Sequence, residues 1–169
     1  DRDGVINFES KDYIKTPDEW LPIPGSLEAI SLLTKAGYTI AVATNQSGVG
    51  RGFYTEADLA LINQKMLKSV AALEGKVDKV FYCPHHPEDG CSCRKPGTGL
   101  FEQIADYYQL DLKGIFAIGD SLRDIQAAEK VGCIPILVLT GKGQEVLKNS
   151  FQGKMSSWRA NSKSVFPNL

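Results

Sequence analysis

Four groups of polar side chains in this sequence fall at the ends of segments that we infer to be strands. They are Asp1 with Asp3, Thr44 with Asn45, Arg94 with Lys95, and Asp120 with Asp124. The carboxyl ends of parallel strands meet at one edge of a sheet, so we expect these groups to converge there. Carboxylates from two segments can hold Mg²⁺, and a hydroxyl and a lysine can bind phosphoryl oxygens. The pattern therefore predicts a phosphoryl-transfer site, where catalysis depends mainly on positioning and charge.

Each group also has a simpler explanation when it is considered alone. An Asp-x-Asp pair at a strand end can be turn chemistry, and Thr44-Asn45 can simply begin a loop. Asp124 lies three residues after Ser121, so it can complete a capping box at the start of a helix. Lys95 can be one more solvated charge. The occurrence of all four groups in order, each at a strand end, favours the catalytic interpretation.

A second constellation combines cysteines and histidines in one polar loop. Cys83, His85, Cys91 and Cys93 offer three thiolates and one imidazole, which satisfy tetrahedral Zn²⁺ and leave no position open for water. This ligand set indicates structural zinc. His86 is a competing nitrogen ligand, because both spacings are sterically feasible. The alternative is free or oxidised cysteines, although a bridge between Cys91 and Cys93 would be strained.

The loop, residues 83–97, ends in Arg94, Lys95 and Pro96. It has no apolar content with which to fold itself, so a metal would order it. A metal-fixed loop would direct two cations at the expected phosphate site, and structural zinc would then control catalytic geometry. Cys133 stands apart in an apolar stretch and is typical of a small core residue.

The elements that must position these groups alternate between helix and strand. Apolar periodicity predicts helices over 26–36, 55–73, 99–108 and 121–130, and strands over 38–43, 77–82, 115–118 and 134–139. Such alternation indicates an α/β fold with a parallel sheet covered on both faces. Pro135 cannot donate to a strand ladder, which suggests an edge position or a strand start. The polar segment from Gly141 onward supports no prediction.

The front of the sequence differs from the other motifs. The pairs Thr44-Asn45 and Gly119-Asp120 each follow a predicted strand directly, but no predicted strand precedes Asp1. By analogy, we expect Asp1 to follow a strand upstream of this sequence, and residues 1–169 to belong to a single domain.

Composition narrows the functional classes. With 169 residues, 43% apolar and 23% charged, the chain is typical of one globular domain. A net charge of −1 provides no overall field for nucleic acid or an anionic membrane. No apolar run approaches the ~20 residues of a membrane helix, and no signal peptide is visible.

Together, the residues resemble the motifs of the haloacid dehalogenase (HAD) superfamily of phosphatases. The matching segments are Asp1-x-Asp3-Gly4-Val5, Thr44-Asn45, Lys95-Pro96 and Gly119-Asp120-Ser121-x-x-Asp124. The runs at 44–48, 83–87 and 93–96 narrow the resemblance to the branch of heptose-bisphosphate and histidinol-phosphate phosphatases, and the run at 46–52 is nearer the heptose group. The resemblance implies a three-layer Rossmann-like HAD fold with a central parallel sheet, no large cap domain and a zinc-binding loop.

The resemblance also implies a role for each matched residue. Asp1 would be the nucleophile and form an aspartyl-phosphate, and Asp3 would protonate the leaving sugar oxygen and then activate water. Thr44 and Lys95 would stabilise the phosphoryl group. Mg²⁺ would be bound by the Asp1 carboxylate, the main-chain carbonyl of Asp3, and Asp120.

The resemblance places the remaining contacts around the substrate and the zinc. Arg94 would bind substrate at its second phosphate, and Asn45 with the region of Tyr13 would line the sugar pocket. The family pattern favours His85 over His86 as the zinc ligand.

The expected protein is a cytoplasmic, monomeric phosphatase that uses Mg²⁺ and Zn²⁺ on a phosphorylated sugar, with no nucleic-acid or membrane partner. Histidinol phosphate is the alternative substrate. Ser121 stands where better-known members carry a lysine, so a substrate contact there is open. A phospho-receiver domain is a different class, but its acceptor Asp follows a strand, whereas Asp12 and Asp18 lie in a polar, Pro-rich stretch. A catalytically silent zinc module is the other alternative.

Overall fold

The computed structural model describes residues 1–151 and 165–166, which alternate between helices and strands. The helices are α1 (Ser26–Lys35), α2 (Ser47–Gly50), α3 (Glu56–Ala72), α4 (Gly99–Tyr108), α5 (Leu122–Lys130) and α6 (Gly143–Phe151). The strands are β1 (Ala41–Asn45), β2 (Lys79–Cys83), β3 (Phe116–Gly119), β4 (Ile134–Val138) and β5 (Val165–Phe166). A 3₁₀ turn covers Pro17–Glu19. The predicted α/β class is confirmed.

All pairings between these strands are parallel. β1 pairs with β2, and β4 lies between β3 and β5. A parallel pair needs a crossover connection, which α3 supplies between β1 and β2, and α5 between β3 and β4. The register places Asn45 opposite Cys83, so the Thr44 motif ends beside the start of the cysteine loop. The backbone nitrogen of Asp1 donates to the carbonyl of Ile118 at 2.7 Å, which places Asp1 beside β3.

Opposite faces of β1 pack against different helices. Val42 points into a core with residues of α1 and α3, namely Leu27, Ile30, Ile62, Met66 and Val70. Ala43, the next residue, packs with Phe81 of β2 and Leu100 of α4. Because successive strand residues face opposite sides, this arrangement gives three layers, helix, sheet and helix.

The longest helix, α3, begins as its sequence predicts. Thr55 and Asp58 form a capping box, in which the Thr55 hydroxyl accepts from the Asp58 backbone and the Asp58 carboxylate accepts from the Thr55 backbone. The predicted apolar stripe is buried at Leu59, Ile62, Met66 and Val70. Leu73, which we expected in the stripe, is 39% exposed because the helix ends at Ala72.

A separate core lies on the α4–α5 side of β3 and β4. It contains Phe101, Leu112, Ala127, Ala128 and Cys133. Cys133 is buried there, as predicted, and its thiol is 3.5 Å from the carbonyl of Leu112.

Several predicted boundaries are wrong. Strand β1 begins at Ala41 rather than Tyr38, since Gly37 has a φ of 85° and turns the chain, leaving Tyr38 exposed. β1 also includes Thr44 and Asn45, which we placed after it. The edge interpretation of Pro135 is wrong, because β4 is paired on both sides; the strand-start interpretation holds, since β5 pairs only from Leu137 onward.

The segments around the site are short. Between Asp3 and α1 the chain forms loops and one 3₁₀ turn, and residues 84–98 after β2 form a loop without helix or strand. Over residues 1–151, no cap domain is folded on the site. In that same range no helix combines the length and apolar character needed to cross a bilayer.

Candidate active site

Lys95 lies at the centre of the polar groups and is 2% exposed. Its Nζ is 3.2 Å from Asp1 Oδ1 and 2.5 Å from Asp124 Oδ1, and it donates to the carbonyl of Ala43 at 2.7 Å. A buried ammonium requires such partners, because burial of an unpaired charge is strongly unfavourable. The explanation of Lys95 as a solvated charge is therefore wrong. Around the side chain of Lys95, the structure brings together Asp1 of the first motif, Asp124 of the fourth, and the carbonyl of Ala43, which directly precedes the second.

Asn45 positions the segment that carries Lys95. Its side-chain amide donates to the Lys95 carbonyl at 3.1 Å, and its Oδ1 accepts from the Lys95 backbone nitrogen at 3.0 Å. Both polar ends of the Asn45 side chain thus join the end of β1 to the cysteine loop. Its expected contact with the sugar stays a prediction.

Three carboxylates form a cluster beside Lys95. Asp1, Asp120 and Asp124 each offer one oxygen, and these oxygens all lie within 4.8 Å of one another. Opposite ligands of an octahedral Mg²⁺ are separated by about 4.2 Å, twice the usual Mg–O distance, so the cluster has suitable dimensions and chemistry. Asp3 is outside this cluster, and the resemblance assigns only its main-chain carbonyl to the metal.

The close packing around Asp120 depends on glycine at two positions. A Cβ at Gly4 would lie 2.3 Å from Asp120 Oδ2, and one at Gly141 would lie 2.1 Å from it. Both glycines also have positive φ. The backbone nitrogen of Lys142 donates to Asp120 Oδ2 at 2.8 Å, and burial raises the pKa of Asp120 to about 6. Asp120 therefore lies in a tight pocket that disfavours its charged form in the absence of a cation.

Asp124 combines two functions that we had treated as alternatives. Its Oδ2 accepts from the backbone nitrogen of Ser121 at 3.0 Å and from the Ser121 hydroxyl at 2.5 Å, which closes the start of α5. Its Oδ1 pairs with Lys95. Burial would raise the pKa of Asp124, but Lys95, together with the amino group of Asp1 and the hydroxyl of Ser121, outweighs that effect and holds the pKa at about 2. The hydroxyl of Ser121 is committed to this contact.

Asp3 is held by residues that sequence reasoning missed. Arg2, 1% exposed, donates to Asp3 through Nε and Nη2, both at 3.1 Å. Asn7 donates to Oδ1 at 2.8 Å and Gln46 to Oδ2 at 2.7 Å. The signals available in the sequence were an arginine between two aspartates and a glutamine directly after Thr44-Asn45.

Thr44 is buried at the end of β1, and its hydroxyl oxygen accepts from Gln46 Nε2 at 2.9 Å. The Oε1 of the same glutamine accepts from the Tyr54 hydroxyl at 2.7 Å. Burial raises the pKa of Tyr54 to about 12, so this phenol stays protonated near neutral pH.

The cysteine loop brings four potential ligands together. His85 Nδ1 is 3.1 Å from Cys93 Sγ and 3.6 Å from Cys83 Sγ, and Cys91 Sγ is 3.5–3.6 Å from the other two sulfurs. A tetrahedron with arms of about 2.3 Å has edges of roughly 3.8 Å, so the spacing suits tetrahedral zinc. His86 lies outside this group, where its ring faces the backbone of Glu88. Of the two histidines, only His85 lies in this group of four, and its role as a zinc ligand stays a prediction.

The loop is attached directly to the Thr44 motif. The backbone nitrogen of Gln46 donates to the Cys83 carbonyl, and that of Gly50 to the Pro84 carbonyl, both at 2.8 Å. A Cβ at Gly50 would lie 2.5 Å from the backbone nitrogen of His86, so glycine permits this close approach. Short helix α2, which the sequence did not predict, is thus packed on the loop.

Arg94 has an uncommitted donor. Its Nη1 is buried and has no hydrogen-bond partner in the part of the chain that the structure describes. Burial and the nearby Arg123 lower the pKa of Arg94, a setting that an anion would relieve. The ring of Tyr13 packs edge-on against Phe53, with centroids 5.0 Å apart. Substrate contacts of Arg94 and of the Tyr13 region stay predictions.

Comparisons with known proteins agree with this geometry. Residues 92–158 match the HAD-hydrolase-like family model. A D-glycero-beta-D-manno-heptose-1,7-bisphosphate 7-phosphatase of Pseudomonas aeruginosa is 54% identical over 147 residues, covering 87% of this chain and 83% of that protein. The protein of that name from Bordetella bronchiseptica is 52% identical over 147 residues, covering 87% and 82%.

A solved structure has the same architecture. The crystal structure of D,D-heptose 1,7-bisphosphate phosphatase from B. bronchiseptica, complexed with magnesium and phosphate, matches with a TM-score of 0.90 and 47% identity. The match covers 99% of this chain and 89% of that one. The described fold, with its parallel strands, is thus the HAD-like fold. With relatives this similar over most of their length, the chain belongs to the D-glycero-beta-D-manno-heptose-1,7-bisphosphate 7-phosphatase family of HAD-like hydrolases.

Proposed function

We propose that this chain is a magnesium-dependent phosphatase that removes the 7-phosphate of D-glycero-D-manno-heptose 1,7-bisphosphate. The observation that carries this proposal is the convergence of Asp1, Asp120 and Lys95 in one buried site. Relatives that share about half of its aligned residues are named for this reaction. Histidinol phosphate, the alternative substrate, is favoured by no observation in the structure.

The reaction would proceed in two displacements. In the first, a carboxylate oxygen of Asp1 bonds to phosphorus while the bond from phosphorus to the sugar oxygen breaks, and Asp3 gives its proton to that oxygen. In the second, Asp3 takes a proton from water, the water oxygen bonds to phosphorus, and the aspartyl-phosphate bond breaks. Phosphate leaves, and both carboxyl groups return to their starting states.

The other residues would stabilise charge on the transferring group. Lys95 lies 3.2 Å from Asp1, where its ammonium would face the phosphoryl oxygens as Asp1 attacks. Thr44 would donate its hydroxyl proton to the same group. Asp1 and Asp120, with the Asp3 carbonyl, would hold Mg²⁺, which neutralises phosphoryl charge when bound. Asp124 would hold Lys95 rather than bind metal, because both of its oxygens are engaged.

A structural zinc ion belongs to the same proposal. It is supported by the three sulfurs and one imidazole nitrogen at near-tetrahedral spacing. Zinc would order the loop that carries Arg94 and Lys95. The cytoplasmic location and monomeric state stay predictions.

The proposed function is tested by phosphate release from a panel of heptose bisphosphate, histidinol phosphate and fructose bisphosphate with Mg²⁺. We expect heptose bisphosphate to react fastest. Phosphorus NMR of the product should show the anomeric phosphate retained and the 7-phosphate lost. Faster hydrolysis of histidinol phosphate would contradict the proposed substrate and favour the alternative, a histidinol-phosphate phosphatase.

The roles of the two aspartates are separable by substitution. Asp1→Asn keeps the size of the side chain but removes the nucleophile, so turnover should vanish while the fold persists. Asp3→Asn removes the proton donor, so a substrate with a good leaving group should restore part of its activity. Measured rates on p-nitrophenyl phosphate and on the sugar bisphosphate check both. Equal rescue of the two variants would contradict the assigned roles.

A further inference from the structure

Gln46 contacts two groups of the proposed mechanism with one amide. Its Nε2 donates to Asp3 Oδ2 at 2.7 Å and to Thr44 Oγ1 at 2.9 Å. Asp3 is the proposed acid and base, and Thr44 is a proposed phosphoryl ligand. Gln46 itself is buried at 3% exposure, two residues beyond Thr44. Neither its position in the motif nor the reaction proposed above requires this double contact.

The orientation of the amide is determined by its neighbours. Arg2 Nη2 donates to Gln46 Oε1 at 3.0 Å, and the Tyr54 hydroxyl lies 2.7 Å from the same oxygen. A guanidinium has donors only, so the amide oxygen must face Arg2. The NH₂ group must then face the other way, toward Asp3 and Thr44. If the amide were rotated by 180°, its NH₂ group would face the Arg2 donor and its oxygen would face the Asp3 carboxylate. Both contacts would be repulsive.

The partners that orient Gln46 are themselves fixed. Arg2 Nη1 donates to Asn63 Oδ1 of α3 at 3.0 Å, and Arg2 also donates to Asp3. A Cβ at Gly48 would lie 2.1 Å from Tyr54 Cε1, so the Tyr54 ring reaches Gln46 only because residue 48 is glycine. Arg2, Gln46, Tyr54 and Asn63 are all buried. Both polar ends of the Gln46 amide therefore have defined partners, Arg2 and Tyr54 on the oxygen and Asp3 and Thr44 on the NH₂ group.

The network has a consequence for both catalytic groups. Because Thr44 Oγ1 accepts a hydrogen bond from Gln46, the hydroxyl proton of Thr44 points in another direction. Within residues 1–151 this hydroxyl donates to no protein atom. That proton is available to a phosphoryl oxygen. Each oxygen of the Asp3 carboxyl accepts two donors, Oδ1 from Arg2 and Asn7 and Oδ2 from Arg2 and Gln46, so the carboxyl group is held in one orientation.

We propose that Gln46, oriented by Arg2 and Tyr54, is a positioning residue that couples the acid–base carboxyl of Asp3 to the phosphoryl-binding hydroxyl of Thr44. The inference rests on the proposed function, since it assumes those roles for Asp3 and Thr44. It adds that proton delivery to the leaving group depends on a side chain that touches neither phosphate nor sugar.

The test measures how the rate depends on the leaving group. Gln46→Met preserves length and removes both donors, and Tyr54→Phe removes one hydroxyl from the network. We expect Gln46→Met to lower kcat about 100-fold on an alkyl phosphate, which needs a proton, and about tenfold or less on p-nitrophenyl phosphate, which does not. Tyr54→Phe should change the same ratio in the same direction by about threefold. KM should change less than kcat for the alkyl ester.

The control is Tyr108→Phe, which removes a hydroxyl that donates to Asp78 Oδ2 at 2.7 Å away from the site. It should leave the ratio between the two esters unchanged. Equal losses on both esters would overturn the inference, since a merely structural role lowers both alike. If Gln46→Met does not fold by circular dichroism, Tyr54→Phe decides by the same ratio. Failure of the wild-type protein to cleave heptose bisphosphate would overturn the proposed function instead, because the ester ratio does not depend on that substrate.

Discussion

Lys95 and the carboxylates around it form one electrostatic unit. A single buried ammonium contacts Asp1 and Asp124, while Asp120 lies in the same cluster without an ion pair to that ammonium. The pKa values of the two buried aspartates therefore shift in opposite directions. That of Asp124 is lowered to about 2, and that of Asp120 is raised to about 6. Of these two aspartates, Asp120 is the one whose charge responds to pH near neutrality.

Magnesium binding should depend on pH through Asp120. Below pH 6 a proton competes with Mg²⁺ for this carboxyl, whereas Asp124 remains ionised. We expect the apparent Mg²⁺ affinity to be constant above about pH 7 and to fall about tenfold per pH unit below 6. Calorimetric titration with Mg²⁺ between pH 5 and 8 measures this affinity. Asp111→Asn, which changes an exposed carboxyl group, is the control and should leave the pH dependence unchanged. An affinity that is level down to pH 5 would contradict the prediction.

The sign of the stability effect follows from the same pKa. The metal-free folded state binds the Asp120 proton more tightly than the unfolded state, whose carboxyl titrates near its ordinary value. Asp120 therefore lowers the free energy of unfolding above pH 6, and that loss is relieved as the pH falls from 6 toward 4. Bound Mg²⁺ would remove the loss at neutral pH.

At the scale of elements, the cysteine loop and the end of β1 form a single support. Asn45 binds the backbone of Lys95, and Gln46 and Gly50 bind the carbonyls of Cys83 and Pro84. The loop lacks helix and strand, so these contacts and a metal would have to maintain its shape. Disordering of the loop would displace Lys95 from Asp1 and Asp124.

Removal of one thiolate tests this coupling. The purified wild-type protein should contain about one zinc per chain, and Cys91→Ser should lose it, together with on the order of 3 kcal/mol of unfolding free energy and most of the activity. Elemental analysis and urea unfolding measure the first two. Cys133→Ser, which changes a buried thiol outside the cluster, should retain its zinc. Freshly purified wild-type protein without zinc would refute the proposed metal.

At the scale of the whole molecule, substrate choice depends on what lies around an uncapped site. Over residues 1–151 no cap domain covers the carboxylates, so the contacts must come from loops and from the substrate itself. The loop places Arg94 directly before Lys95, and its buried Nη1 has no partner in the described residues. A second phosphate could accept a charge-assisted hydrogen bond there, whereas the cationic end of histidinol phosphate would be repelled.

We therefore expect kcat/KM for heptose bisphosphate to exceed that for histidinol phosphate by at least ~10²-fold, equivalent to ~2.7 kcal/mol. Arg94→Ala should reduce this preference more than it slows p-nitrophenyl phosphate hydrolysis. Lys76→Ala, which removes an exposed cation paired with Asp78, is the matched control and should change neither. A preference that survives Arg94→Ala would assign recognition of the second phosphate to other residues.

The sequence alone was sufficient for features that depend on neighbouring residues. The alternation of helix and strand, the capping boxes at Thr55 and Ser121, and the burial of Cys133 follow from periodicity and local hydrogen bonding. The motif residues and their order also indicate phosphoryl transfer, because that chemistry requires carboxylates, a hydroxyl and a cation at strand ends. Local rules suffice where the interacting groups are a few residues apart.

Only the tertiary structure decided which distant groups meet. Arg2 reaches Asn63 across 61 positions, and Asn45 binds Lys95 across 50, which no local pattern encodes. The choice between His85 and His86 depended on the path of the loop, and the double role of Asp124 depended on where Lys95 is buried. Pro135 was misplaced at an edge because strand order is set by packing of the whole sheet. The residue type determines which hydrogen bonds or charges a side chain can offer, but the fold determines which distant residue it contacts.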